Sequence, residues 1–183
     1  EVDYYNCLGC RRRRRHSTDH CYPVRVTMTN LTLVLDDRIY DISFTPKENV
    51  RTATLNVSLN GRTFQPVVVS GWRRLSLGAS SETGYLWSAR ELVVLPHSAA
   101  GQFCVIGVDE DLLTVFNVQN SWLLVCETSI RRLVGSEETD RVELGDVVEW
   151  VEWEAGALHV HGAASPEFTL RVEGGRLISS TGS

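Results

Sequence analysis

From residue 24 onward, apolar and polar positions alternate with a period of two. In VRVTMTNLTLVL (24–35), Val24, Val26 and Met28 alternate with Arg25, Thr27 and Thr29, the pattern of a strand with one face buried. ATLNVSL and RTFQPVVV (53–69) flank Asn60-Gly61, a pair that takes positive φ readily and predicts a type I′ hairpin. Pro66 has no N–H to donate, so the second strand either lies at an edge there or begins after it. Further strands are expected at ELVVLP (91–96), GQFCVIGV (101–108), LLTVFNV (112–118), SWLLVCE (121–127), GDVVEWVEW (145–153), ALHVHG (157–162), EFTLRV (167–172) and GRLIS (175–179). ETSIRRLVGSEE (127–138) is the one stretch compatible with a short helix.

Gly, Asn, Asp, Ser and Pro punctuate these strands at short intervals, as in a sandwich or barrel. No repeat is visible in the residues, which argues against a solenoid or propeller. The expected fold class is all-β. A single antiparallel β-sandwich of jelly-roll or lectin/immunoglobulin-like architecture covers 24–183, after an irregular, cysteine-bearing basic segment at 1–23. A chain of 183 residues, 43% hydrophobic and 22% charged, can bury a core of that size. No apolar run is long enough to span a bilayer as a helix. EVDYYNCLGC is polar from its first residue, so no signal peptide is read there, and a start at Glu1 is compatible with a removed leader.

The net charge of −5 conceals a split. Residues 1–108 carry 13 basic against 9 acidic side chains, and residues 109–173 carry 4 against 14. Such asymmetry steers charged partners to one end of a molecule. The basic end is concentrated in CLGCRRRRRHSTDHC (7–21). Cys7, Cys10, His16 and Cys21 are a closed set of N/S ligands. Their spacing resembles that of the retroviral-type zinc knuckle, with one extra residue before the histidine and arginines where knuckles carry glycine and an aromatic. The resemblance would imply zinc and nucleic-acid binding by this segment. Against it stands a disulfide-closed loop, Cys10 to Cys21, on a secreted protein. Arg11, Arg12, Arg13, Arg14 and Arg15 would then grip a polyanion bidentately or mark a processing site.

Residues elsewhere favour the secreted reading. Asn30-Leu31-Thr32 and Asn56-Val57-Ser58 are N-glycosylation sequons. Asn30 shares its alternation with Met28, whereas Asn56 groups with Thr54 and Ser58, which makes Asn56 the expected better acceptor. Cys104 and Cys126 lie in separate apolar strands and are expected to form a disulfide. Five cysteines leave one over, for an intermolecular link or a reactive thiol.

Reaction chemistry is hard to find. The chain has no G-x-S-x-G, P-loop or H-E-x-x-H. His159 and His161 share one face of a strand, which makes them weak metal candidates with Glu149, Glu152 or Glu154 as a third ligand. Asp109-Glu110-Asp111 reads as a plain acidic turn more readily than as a calcium loop. Trp72, Trp87 and Trp150 are the ligand-contact candidates, because aromatic faces beside hydrogen-bonding groups suit sugars and protein interfaces alike. Trp150 and Trp153 should face opposite sides of their strand. The expectation is a secreted or cell-surface recognition module, without cofactor or catalysis, that binds a glycan or an extracellular protein. The alternative is a structural assembly subunit of matrix or coat type, with a basic N-terminal arm and disulfide-linked or non-covalent self-association.

Overall fold

The structure is a computed structural model. It describes residues 21–22, 30–46, 52–70, 75–80, 83–98, 100–164 and 167–181. All regular structure in these residues is β. A short β1 (Cys21–Tyr22) precedes the first sheet, built from β2 (Asn30–Leu35), β3 (Arg38–Pro46), β4 (Thr52–Leu59), β5 (Arg62–Thr63) and β6 (Val67–Ser70). The second sheet holds β7 (Ser76–Ala79), β8 (Gly84–Trp87), β9 (Glu91–Val94) and β10 (Cys104–Gly107), with β1 on the edge beside β7. The third comprises β11 (Leu112–Val118), β12 (Ser121–Cys126), β13 (Ser129–Val134) and β14 (Glu137–Glu143). The fourth comprises β15 (Val148–Glu154), β16 (Ala157–Gly162), β17 (Phe168–Glu173) and β18 (Arg176–Thr181). Every ladder is antiparallel.

The described residues divide into two compact units, one ending at Asp109 and the other beginning at Glu110. The first and second sheets share one core, and the third and fourth share another. Although the residues show no repeat, the backbone does. The sheets open at Asn30, Ser76, Leu112 and Val148, and each runs up and down through neighbouring strands. Two of the sheets have five strands and two have four.

Local rules explain the first unit well. β4 buries Ala53, Leu55, Val57 and Leu59 and turns Thr52, Thr54, Asn56 and Ser58 outward. Asn60 and Gly61 adopt φ of 50° and 81°, as a type I′ turn requires. The Asn60 side chain fixes that turn, accepting from Ile39 N–H at 2.8 Å and donating to the Asp37 carbonyl at 3.2 Å. β6 begins after Pro66, which keeps the proline out of the ladder. β8, between β7 and β9, is buried along its whole length. Opposite Tyr85 in its ladder stands Gly78, where a Cβ would lie 2.4 Å from the buried ring. The first sheet also reaches past its own edge, for the Tyr40 hydroxyl donates to the Pro96 carbonyl at 2.9 Å.

In the second unit the stretch 127–138 forms no helix. It supplies β13 and the turn at Gly135 into β14. The reason is tertiary: Ser129, Ile130, Arg131, Arg132 and Leu133 are all buried between β12 and β14. Arg132 donates from Nη1 to Thr139 Oγ1 at 3.0 Å and to the Gly175 carbonyl of the β17–β18 turn at 2.7 Å. The Asp140 carboxylate accepts from the Leu177 N–H at 2.6 Å, so the third and fourth sheets are joined by polar bonds as well as by their core.

The Cys104–Cys126 disulfide expected from the sequence does not form. Both are free thiols, on β10 and β12. Cys104 stands opposite Val94 and Cys126 opposite Leu112, so no ladder brings the two together.

Candidate functional site

The outer face of the fourth sheet gathers more of the chemically useful side chains singled out in the sequence than any other described surface. Its opposite face supplies Leu158, Val160, Leu170, Val172 and Leu177 to the core. Strict alternation then turns Trp150 and Glu152 of β15, His159 and His161 of β16 and Thr169 of β17 outward. The ladders pair Trp150 with His161, Glu152 with His159, and His159 with Thr169. Trp153, as anticipated, goes the other way and packs on Phe116 at 5.8 Å between ring centroids.

The Trp150 and His161 rings are stacked, with centroids 3.3 Å apart and planes inclined by 13°. Glu167, just ahead of β17, extends its carboxylate over both imidazoles. Its Oε1 lies 3.2 Å from His159 Nδ1 and 3.5 Å from His161 Nε2. Thr169 Oγ1 lies 3.3 Å from the same Nδ1, so hydroxyl and carboxylate compete for it. All these groups are partly open: Trp150, Glu152, His159 and His161 are half-buried, and Glu167 is exposed. The face thus offers an aromatic plane, two imidazoles, the Glu167 carboxylate and a hydroxyl within a few ångströms, with Glu152 opposite His159 in the ladder and one aromatic side covered by His161. It can stack on a flat or apolar ring and exchange hydrogen bonds at the rim.

Glu167 was not among the sequence candidates. A third partner for the histidines was sought on β15, where Glu149 falls at the irregularity between Val148 and Trp150. Glu167 comes from the opposite side, two positions before Thr169, and only the β16–β17 pairing brings it beside the histidines. Among the described residues no group of three His, Cys, Asp or Glu side chains is arranged to hold a metal ion.

The other candidates fall elsewhere. Trp87 is buried and stacks on Tyr85 at 5.8 Å, so it is a core residue and no ligand contact. Sheet position overrides the nearby turn that had suggested exposure. Asn30 is exposed and Asn56 half-buried, the reverse of the expected ranking, because Leu31, Leu33 and Leu35 fill the inward positions of β2. Trp72, Cys7, Cys10, Arg11 to Arg15, His16 and the Cys21 side chain lie outside the described residues.

The acidic turn at 109–111 has a structural destination. Glu110 accepts from Thr128 Oγ1 and Ser129 Oγ, each at 2.7 Å, and from Arg131 and Arg141. Burial acts to raise its pKa, but hydrogen bonds from Ser129, Arg131 and Thr128 outweigh burial and lower it to about 2. The neighbouring Cys126 thiol is pushed the other way by burial, up to about 11.

No protein-family model matches the chain, and no curated protein matches it. Among solved structures, a HIRA fragment, HIRA(644-1017), is similar over 81% of this chain and 51% of its own, at 14% identity and a TM-score of 0.44. The AfRom2 CNH domain is similar over 84% and 54%, at 12% identity and a TM-score of 0.44. This chain spans about half the length of either structure. Likenesses this weak carry no functional argument, so function rests on the site itself.

Proposed function

We propose that the chain is a secreted or cell-surface recognition module without catalytic activity, each unit a two-sheet sandwich, and that it binds a glycan or protein partner on the outer face of the fourth sheet. One observation carries this reading: the Trp150–His161 stack, ringed by Glu152, His159, Glu167 and Thr169 on a partly open face. A sugar ring or an aromatic or aliphatic side chain would lie against the stack, and its polar groups would meet carboxylate, imidazole and hydroxyl. The two sequons support the extracellular compartment. The arginine run would supply a second contact, to a polyanion.

The test is capture of immobilised glycans and of extracellular proteins by the full chain, repeated with Trp150→Ala. Loss of an aromatic anchor of this kind costs about 1–3 kcal/mol, or roughly ten- to a hundredfold in affinity. A retained ligand that is lost with Trp150→Ala is expected, with the variant's circular dichroism unchanged. A ligand held equally by both proteins, or no ligand at all, would overturn the reading.

A further inference from the structure

The outward face of the first sheet places the two sequons in the same setting. Ser43 of β3 stands directly between Asn30 and Asn56, and Asp41 stands directly between Thr32 and Ser58. Thr32 Oγ1 donates to Asp41 Oδ1 at 3.0 Å, and Ser58 Oγ to Asp41 Oδ2 at 3.5 Å. The two sequon hydroxyls are therefore tied to one carboxylate. No described partner holds either asparagine amide, and both point away from the core that Leu31, Leu33, Leu55 and Val57 fill. The asparagines stand two strands apart, roughly 9–10 Å.

We infer that this face carries two N-linked oligosaccharides, at Asn30 and Asn56, and that the sugar on Asn30 covers an open sheet edge. This rests on the secretory part of the proposed function. The donor is a lipid-pyrophosphate-linked oligosaccharide. The Asn Nδ2 attacks its anomeric carbon and a C–N bond forms. The C–O bond to pyrophosphate breaks, the amide releases one proton, and the lipid pyrophosphate departs. Because both sequons lie in hydrogen-bonded ladders once folded, with Asn56 on a strand paired on both sides, transfer belongs to the chain before the sheet closes. Among the described residues β2 pairs with β3 alone, and Val34 of β2 and Ile39 of β3 are exposed. Such an edge invites strand addition from another molecule unless something blocks it. An oligosaccharide on Asn30, at the start of that edge, is such a block, whereas Asn56 stands on an inner strand.

The experiment places the full chain behind a cleavable secretory leader in eukaryotic cells. Intact masses are read before and after peptide-N-glycosidase treatment for wild type, Asn30→Gln, Asn56→Gln and the double variant. Two occupied sites are expected, one lost in each single variant and both in the double. A secreted chain that is bare, or sugared at one site only, would overturn the two-glycan face. Sedimentation of the secreted proteins reads the second claim: Asn30→Gln should self-associate while Asn56→Gln stays as dispersed as wild type, and equal behaviour of the two overturns the edge-cover role. The leader fixes the compartment, so failure here is distinct from failure of the recognition reading, which is decided at Trp150.

Discussion

Replacing Glu110 with glutamine should destabilise the second unit at neutral pH and have far less effect in acid. The carboxylate is held by Thr128, Ser129, Arg131 and Arg141, and its side chain is only 17% exposed. Its pKa falls from 4.5 to about 2 on folding, and a displacement of that size corresponds to about 3 kcal/mol of pH-dependent stability. Because the folded value is the lower one, that stability is fully present above about pH 4.5 and drains away as pH falls towards 2. The amide also takes the Glu110 charge from Arg131, which is 8% exposed and has Glu138 at 3.5 Å as a second acidic partner. Breaking a buried pair from one side costs about 3–5 kcal/mol, much of it the same electrostatic energy. Urea unfolding of both proteins at pH 7, 4.5, 3 and 2, followed by the fluorescence of Trp122, Trp150 and Trp153, measures the difference. It should be about 3–5 kcal/mol at pH 7 and shrink to roughly 1 by pH 2. A difference that stays constant with pH, or one below about 1 kcal/mol at pH 7, would mean that water already screens the network, and the reasoning would be wrong.

Two further outcomes follow from packing and burial. Gly78→Ala places a Cβ against the Tyr85 ring, which is fully buried and cannot swing aside. A loss of about 1–3 kcal/mol in the first unit is expected by chemical denaturation, and an unchanged midpoint would contradict the close approach. Cys126, fully buried with its pKa pushed up to about 11, should resist alkylation at pH 8 until the chain unfolds, whereas half-buried Cys104 should be modified in the folded protein. Peptide mass mapping after brief iodoacetamide treatment distinguishes them, and equal labelling would refute the assignment.

The period of two found β4 almost residue for residue, short apolar runs between turn residues found β11, β12 and β16, and Asn60-Gly61 named its own turn. What escaped was decided by neighbours along the sheet. β8 is buried on both faces and shows no alternation, so Trp87 looked like a turn residue. β13 carries two adjacent arginines, which in isolation suit a solvated helix and are accommodated here only because Glu110, Thr139 and the Gly175 carbonyl meet them. The outward pairing of His159 with His161 was legible from spacing alone. Their joint partner Glu167 was not, because strand order determines which loop arrives beside them. The Cys104–Cys126 bond failed for the same reason: apolar neighbours in sequence do not say which strand lies beside a cysteine, and Cys104 is only half-buried.

The up-and-down order of the four sheets has a consequence for how the chain is made. Apart from β1 on β7 and β6 on β4, every ladder joins strands consecutive in sequence, so each sheet needs only its own short stretch of chain to form. Hairpins close in roughly 1–10 μs, while a ribosome adds about 5–20 residues per second, so a sheet can zip almost as soon as it emerges. Its apolar face cannot be covered until the next sheet of the same unit arrives, on the order of two to seven seconds later at those rates. In that interval Leu55 and Val57, or Leu123 and Val125, stand open to water. A slower ribosome prolongs that exposure, and a chaperone that binds flat apolar sheet faces would find its substrate there, on half-finished units.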